Sequence, residues 1–519
     1  MARIAIIRLF YGMTITGAQL AGELLAHGHH PKIIFFKRQE VLPIAESQGD
    51  DYQLGDVPMQ SYAVNKNGSE LFETSVWKKT KPKELQHLVT AIREFGAEAI
   101  GISTLSHGMT LAVEVTAHLR QHFDVPVLWG GTGPTIEPER SIAHADLVCV
   151  GEGEDVIIDL ANRLDRQETL AGIPGTWFRL LDGSVQKNPK RPVADLEKIA
   201  VPNWEAENYA LINGPKFERS LRPDEHSIDT SYQIMTQRGC PFSCSFCVES
   251  YYQNEFGKQD SLRRMSPEKA IRELKIAKHK LGYRTVTFMD DVFTVNPRWL
   301  KKFLTLYKAE IDLPFFCYTY PTTHTPEVLD LLEKAGCHAI TMGVQSGSQR
   351  ILTEVYNRPT RVGRVVKAAE EIASSGIPAA TFDIIPQTEF DTEEDLKETF
   401  EVLLQIPKGL DSTFYNKMAY FPNYPIQEKF SDSNLLATTE GLTEDIYLYY
   451  FKLYDLTRSD MPVEQIRAMA KDPQYRRDHN LLNPFLSDGT ALKANYGNLV
   501  DLGIERRQHT ARALHQVKA

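Results

Sequence analysis

Short apolar runs separated by amphipathic stretches recur along most of this chain. That alternation narrows the folds open to it more than any other feature. In residues 1–165 the runs are RIAIIRLF (3–10), KIIFF (32–36), EAIGIS (98–103), PVLWGG (126–131) and ADLVCVGEG (145–153). Continuous apolar runs of this length suit strands covered on both faces. Between them, KELQHLVTAIREF puts Leu85, Leu88, Val89, Ile92 and Phe95 on one helical face, with Pro82 near its start. The pattern predicts the α/β class, with residues 1–165 as a doubly wound, Rossmann-like parallel sheet. Ligands of such sheets bind at the carboxyl ends of the strands. Here those ends read STLSHG, GGTGP and GEGE, small residues that let a ligand approach the backbone.

A second alternation begins at Tyr232. YQIMT, TVTFMDD (285–291), FFCYTY (315–320), AITMGVQSGS, AATFDIIP and FYNKMAYF read as strands. Helices open at Ser266-Pro267 and at Thr325-Pro326, and the latter closes at Gly336. Six βα units are fewer than the eight of a complete barrel, so residues 229–426 are expected to form an open, partial (β/α)6 barrel. Residues 166–228 read as a connector: a hairpin turning at Asp182-Gly183, then a proline-rich extended crossing. Residues 427–519 read as a helical C-terminal region. Its stretch IYLYYFKLYDL is expected to be the core of a helix packed on the barrel, with the lining of an apolar pocket as the alternative.

The chain has 519 residues, enough for about three domains at roughly 100–200 residues each. Of its six cysteines, Cys149, Cys317 and Cys337 are scattered among apolar residues and read as buried small hydrophobes. Nothing resembles a disulfide framework, which suggests a reducing compartment. A net charge of −10 lacks the basic footprint of a nucleic-acid binder. The N-terminus carries no signal-peptide pattern and no apolar run approaches ~18 residues. A cytoplasmic protein with no membrane span is expected.

The remaining cysteines, Cys240, Cys244 and Cys247, lie in RGCPFSCSFCVES. Clustered thiolates mean zinc or iron–sulfur. Structural zinc takes four ligands, usually as two C-x-x-C pairs, and no second pair exists here. A remote fourth ligand, or unrelated core or redox cysteines, are the alternatives. Three cysteines can also hold a four-iron cluster with one iron left open to bind something else.

C-x-x-x-C-x-aromatic-C after a strand, at the start of a partial barrel, resembles the radical S-adenosylmethionine (SAM) superfamily. The resemblance implies a [4Fe-4S] cluster on Cys240, Cys244 and Cys247, with SAM on the open iron and Phe246 beside it. Reductive cleavage of SAM would then give a 5′-deoxyadenosyl radical. It implies further SAM contacts from Asp290 and Asp291 to the methionine amino group, and from Gln345 and Ser346 near the ribose. Gln345 stands where glutamate is commoner. FDIIPQTEFDTEED resembles the fifth-strand segment of that family but lacks its glycine, and capping by Thr392 and Asp395 explains part of it.

A doubly wound domain before such a barrel resembles the cobalamin-dependent branch. The matching residues are Ser103 and Leu105 (S-x-L), Gly130-Gly131, and Glu152-Gly153 within GEGE. The resemblance implies that these loops accept the nucleotide tail of cobalamin. The cobalt-ligating D-x-H-x-x-G is absent: the first β–α loop reads RLFYGMTITG, with Tyr11 as the candidate near the lower face. His27, His29 and His30 fall at the far end of the first helix. The resemblance implies a C-methyltransferase acting on an unactivated carbon of a small molecule, supplied with electrons by a flavodoxin or ferredoxin. Its rivals are a cyclase or rearranging enzyme that binds cobalamin without methyl transfer, an RNA methylthiotransferase, and a non-catalytic cobalamin sensor.

Overall fold

Successive side chains of a strand point to opposite faces, and the first strand, Arg3–Tyr11, uses both. Ile4 and Ile6 pack into one core with Ala21, Leu24, Val156 and Leu160. Ala5, Ile7 and Leu9 pack into a second core with Leu88, Ile92, Leu111 and Val115. Helices Ile15–Ala26 and Glu154–Asp165 therefore cover one face, and Pro82–Phe95 and Met109–Leu119 the other. Each fully buried Ile or Leu is worth roughly 1.5–3 kcal/mol, so the double covering holds the strand at the centre.

The computed structural model describes residues 1–11, 15–64, 70–221, 231–408, 413–432, 435 and 442–486. They fall into two compact units. One comprises Met1–Pro58, Thr74–Ser227 and Phe421–Asn423; the other comprises Met59–Glu73, Ile228–Tyr420 and Tyr424–Ala519.

In the first unit Arg3–Tyr11 pairs in parallel with His30–Arg38 on one side and Ala99–Ser103 on the other. Val127–Gly130 and Leu147–Cys149 follow in parallel beyond Ala99–Ser103. Strand order thus reverses between Arg3–Tyr11 and Ala99–Ser103, the place where open α/β sheets bind ligands. The expected connector contributes strands to this sheet on either side of its proline-rich stretch, residues 188–205, which carries no helix or strand. Thr176–Arg179 and Val185–Lys187 form the foreseen hairpin and add it antiparallel beside Leu147–Cys149. Tyr209–Asn213 joins the opposite edge, parallel to His30–Arg38, and Lys216–Glu218 folds back on it.

In the second unit six strands pair in parallel and in chain order: Ser231–Ile234, Thr285–Phe288, Phe315–Thr319, Cys337–Gln345, Ala379–Gln387 and Thr413–Lys417. This is the expected open barrel. Its last strand is capped by one that the sequence pattern did not announce: Gln60–Val64 pairs antiparallel with it, Tyr62 opposite Tyr415. The aromatic stretch forms helix Glu444–Leu456, buried from Tyr447 to Leu456. Tyr447 and Tyr454 donate to the carbonyls of Thr388 and Leu396 at 2.9 and 2.8 Å. The helix is thus packed on the barrel, as expected from the sequence. Residues 487–519 lie outside the described residues. No described helix is long and apolar enough to cross a membrane.

Candidate active site

The cysteine loop follows the first barrel strand, and it is tightly fastened. Gly239 has φ +83°, and a Cβ there would lie 2.2 Å from the Ser261 carbonyl oxygen, so only glycine fits before Cys240. Gln253 is buried one helix downstream. Its Nε2 donates to the carbonyls of Cys240 and Phe242 at 2.6 and 2.8 Å. Ser250 Oγ donates to the Cys244 carbonyl at 2.6 Å, and Asn357 Nδ2 to that of Ser243 at 2.8 Å. The sequence reading missed Gln253, because a glutamine inside VESYYQNEF carries no local mark of this role.

Two of the three thiols, Cys240 and Cys247, share an electrostatic environment. Burial pushes the Cys240 thiol up to about 12, with the Asp291 and Cys244 charges adding to it. Burial drives Cys247 well above its ordinary value, and Asp291 again adds. Such thiols stay protonated alone and become ligands only when a metal displaces the proton. Among the described residues no three His, Cys, Asp or Glu side chains close around a point as a single ion requires. Three thiols in one loop suit a four-iron cluster with one iron left open.

Asp290 and Asp291 part company. Asp290 is 0 % exposed and accepts from Thr236 N at 2.6 Å, from Thr236 Oγ1, and from Gln237 N at 3.0 Å. Arg264 Nη2 pairs with it at 3.1 Å. Its oxygens fasten the first strand's exit to the second strand. Asp291 is open to solvent yet lies near Cys240 and Cys247. Desolvation, ahead of the neighbouring Asp290 charge, pushes its carboxyl up to about 6.

At the end of the fourth strand Gln345 has φ +69°, and its Oε1 is buried with no hydrogen-bond partner among the described residues. Ser346 is different. Its buried hydroxyl accepts from Ser348 N at 3.0 Å and lies 3.5 Å from Thr399 Oγ1, so it closes its own turn. Thr392 and Asp395 form a capping box on helix Glu393–Gln405, and Ser348 Oγ donates to Asp395 at 2.6 Å. Phe246 meets Tyr356 edge-on at 4.9 Å. A second aromatic of the loop, Phe242, stacks on Tyr320 at 3.7 Å and was not foreseen.

In the first unit, the loops after three successive strands meet. Gly131 has φ +101°, and a Cβ would lie 2.5 Å from the Thr104 carbonyl oxygen. The glycine therefore serves loop-on-loop packing, a reason beyond room for a ligand. Gly130 is ordinary, with Cys149 Cβ 3.6 Å away. Ser103 is buried and accepts from Arg8 Nη1 at 3.2 Å, while Leu105 is exposed at the loop tip. Arg8 is buried at the carboxyl end of the central strand, and burial lowers its guanidinium to about 10, so it remains a cation at neutral pH. Glu152 Oε2 accepts from Ala194 N at 2.6 Å, and Gly153 caps helix Glu154–Asp165. Tyr11 ends the first strand; its side chain lies outside the described residues. His29 bridges Ala2 N and Asn162 near the start of the strands, and His30 opens the second strand, both at the far end from these loops. His107, not singled out from the sequence, sits in the loop after Ala99–Ser103. It stacks on Phe10 at 5.2 Å, and burial lowers its pKa.

Comparison with known proteins agrees with both halves of this description. The family model for the radical SAM superfamily matches residues 234–403, and that for the B12 binding domain matches residues 72–161. An uncharacterized methyltransferase of Pyrococcus horikoshii is 27% identical over 67% of this chain and 72% of its own length. An anaerobic magnesium-protoporphyrin IX monomethyl ester cyclase of Rubrivivax gelatinosus is 26% identical over 54% of this chain and 48% of its own. The solved structure of the cobalamin-dependent SAM radical enzyme OxsB, with aqua-cobalamin and SAM bound, shares the fold. Its TM-score is 0.62 at 13% identity, covering 100% of this chain and 80% of that one. The chain belongs to the cobalamin-dependent radical SAM family, an enzyme family whose cofactors are a [4Fe-4S] cluster, SAM and cobalamin.

Proposed function

We propose that this chain is a methyltransferase that adds a methyl group to an unactivated carbon of a small biosynthetic substrate. The observation that carries the reading is the presence of two cofactor domains in one polypeptide, a B12 binding domain ahead of a radical SAM domain. When bound, the cluster with SAM supplies a 5′-deoxyadenosyl radical that removes a substrate hydrogen, and cobalamin supplies the methyl group. Cys240, Cys244 and Cys247 hold the cluster, their protons leaving as the irons bind. Asp291 receives the amino group of SAM, a role supported by the action of its charge on the Cys240 and Cys247 thiols. Gln345 offers its unpaired Oε1 to the ribose hydroxyls, and Phe246 lies beside the same space. Ser103, Leu105, Gly130, Gly131, Glu152 and Gly153 form the rim that takes the nucleotide tail of cobalamin. The chain's residues bind, orient and shield, while the cofactors carry the bond chemistry. A flavodoxin or ferredoxin is the proposed electron donor, and the negative net charge keeps nucleic acid out of the proposal.

The similarity to a cyclase supports a second reading, radical chemistry without methyl transfer. Co-products separate the two. A methyltransferase that reloads cobalamin from SAM releases 5′-deoxyadenosine and S-adenosylhomocysteine in about equal amounts per product formed. Product accompanied by 5′-deoxyadenosine alone favours the cyclase reading and removes this one.

A further inference from the structure

The loop after the fourth barrel strand carries an arginine that none of these roles uses. Arg358 is 5% exposed. Its Nη1 lies 3.7 Å from Cys244 Sγ, and its Nη2 donates to the Gly343 carbonyl. The guanidinium covers the Tyr320 ring at 4.2 Å. Tyr320 is itself sandwiched in place: it stacks on Phe242 of the cysteine loop at 3.7 Å, and its hydroxyl accepts from Thr360 Oγ1 at 2.6 Å. A planar cation held by stacking and by a carbonyl has little freedom left to lose, so its contact with sulfur is preorganised. Gly343 makes room for it, since a Cβ there would lie 3.2 Å from Arg358 Nη2. In the strand register Gly343 faces Asp383. No hydrogen bond to the Asp383 carboxyl is found among the described residues, and burial pushes it up to about 7 against the pull of Arg358.

A cluster gains one negative charge when it is reduced. A fixed buried cation beside a ligand sulfur stabilises that charge, and a nearby carboxylate opposes it. Both effects are strong where water is excluded. Net charge, hydrogen bonds to sulfur and burial are the levers by which proteins set iron–sulfur potentials. We infer that Arg358 is a positioning residue that hydrogen-bonds the Cys244 sulfur and raises the reduction potential of a cluster on Cys240, Cys244 and Cys247, with Asp383 as the opposing charge. The inference rests on the cluster reading given under Proposed function. The step it modulates is uptake of one electron from an external one-electron donor; no bond is made or broken.

The test is a potentiometric titration of the anaerobically reconstituted full chain, followed by the paramagnetic resonance signal of the reduced cluster. It is run at about pH 8.5, above the ionisation of Asp383, with iron counted on every sample. Arg358→Gln is expected to lower the reduced-to-oxidised ratio at fixed poise about tenfold or more, about 59 mV for a one-electron couple. Arg358→Lys keeps the charge without the planar fork and gives a smaller fall. Asp383→Asn moves the midpoint the opposite way, which damage to the fold would not do. Full iron with unchanged midpoints in Arg358→Gln and Asp383→Asn overturns the inference. If Arg358→Gln loses its iron, the other two variants decide, and unchanged midpoints in both overturn it. A wild-type chain that takes up no cluster overturns the cluster reading itself, and this inference with it.

Discussion

Asp290 takes two backbone amides, a threonine hydroxyl and the Arg264 guanidinium in a site with no solvent access. Asp291, one residue on, faces open space beside two thiols. Replacing Asp290 with alanine leaves Arg264 buried without its counter-charge, and such changes cost about 3–5 kcal/mol. The chain is expected to lose that much in denaturant unfolding. Asp291→Ala is expected to change unfolding by less than about 0.5 kcal/mol while weakening SAM binding in equilibrium dialysis. Equal stability losses in both variants would contradict this division. No local pattern separates two adjacent aspartates: which one turns inward depends on Arg264 and Thr236, at other points along the chain. Glu273 gives a pH-dependent test. Burial, opposed by the Tyr232 hydroxyl that donates to it at 2.9 Å, pushes its carboxyl from 4.5 up to about 7. Between those values the folded chain holds a proton that the unfolded chain has released. The stability tied to it is present below about pH 4.5 and is lost as the pH rises through 7. Glu273→Gln keeps an acceptor for Tyr232 and removes the buried charge. It should match the wild type near pH 4 and exceed it at pH 8.5, by up to about 3 kcal/mol; a constant difference across pH would refute the assignment.

Helices whose ends carry local signals were legible at the element scale. Ser266 accepts from Lys269 N, Thr325 from Val328 N, and the Thr392–Asp395 box closes helix Glu393–Gln405, each where the sequence points. Central strands were legible because both faces are covered. Edge elements were not. Val185–Lys187 is short with Val185 and Lys187 exposed, and Gln60–Val64 finds its partner more than three hundred residues on, so neither carries a local apolar signature. The glycines of the first unit gave the right loop for an incomplete reason. Gly131 is held by contact with the Thr104 backbone, whereas Gly130 has ordinary space around it. Gly131→Ala is therefore expected to destabilise by about 2 kcal/mol or more, from positive φ and backbone overlap together. Gly130→Ala should stay within about 1 kcal/mol. Thermal unfolding of the two variants reads the difference, and equal behaviour would show that the loops are not packed as described.

For the molecule as a whole, two alternations of strand and helix foretold two α/β units, and the cysteine spacing told which chemistry the second supports. The unit boundaries were less legible. Strands from the expected connector complete the first sheet, and Gln60–Val64 from the front of the chain pairs with the last barrel strand, because pairing partners distant in sequence decide membership. The central claim is that a radical made at the cysteine loop and a methyl group carried by cobalamin meet in one reaction. Product formation with SAM labelled in its methyl group tests this most directly. The account predicts label in the product, lost when any of Cys240, Cys244 or Cys247 is replaced by alanine and retained when Cys149 or Cys337 is replaced by serine. Product formed at full rate without label would contradict the account and leave only the radical half standing.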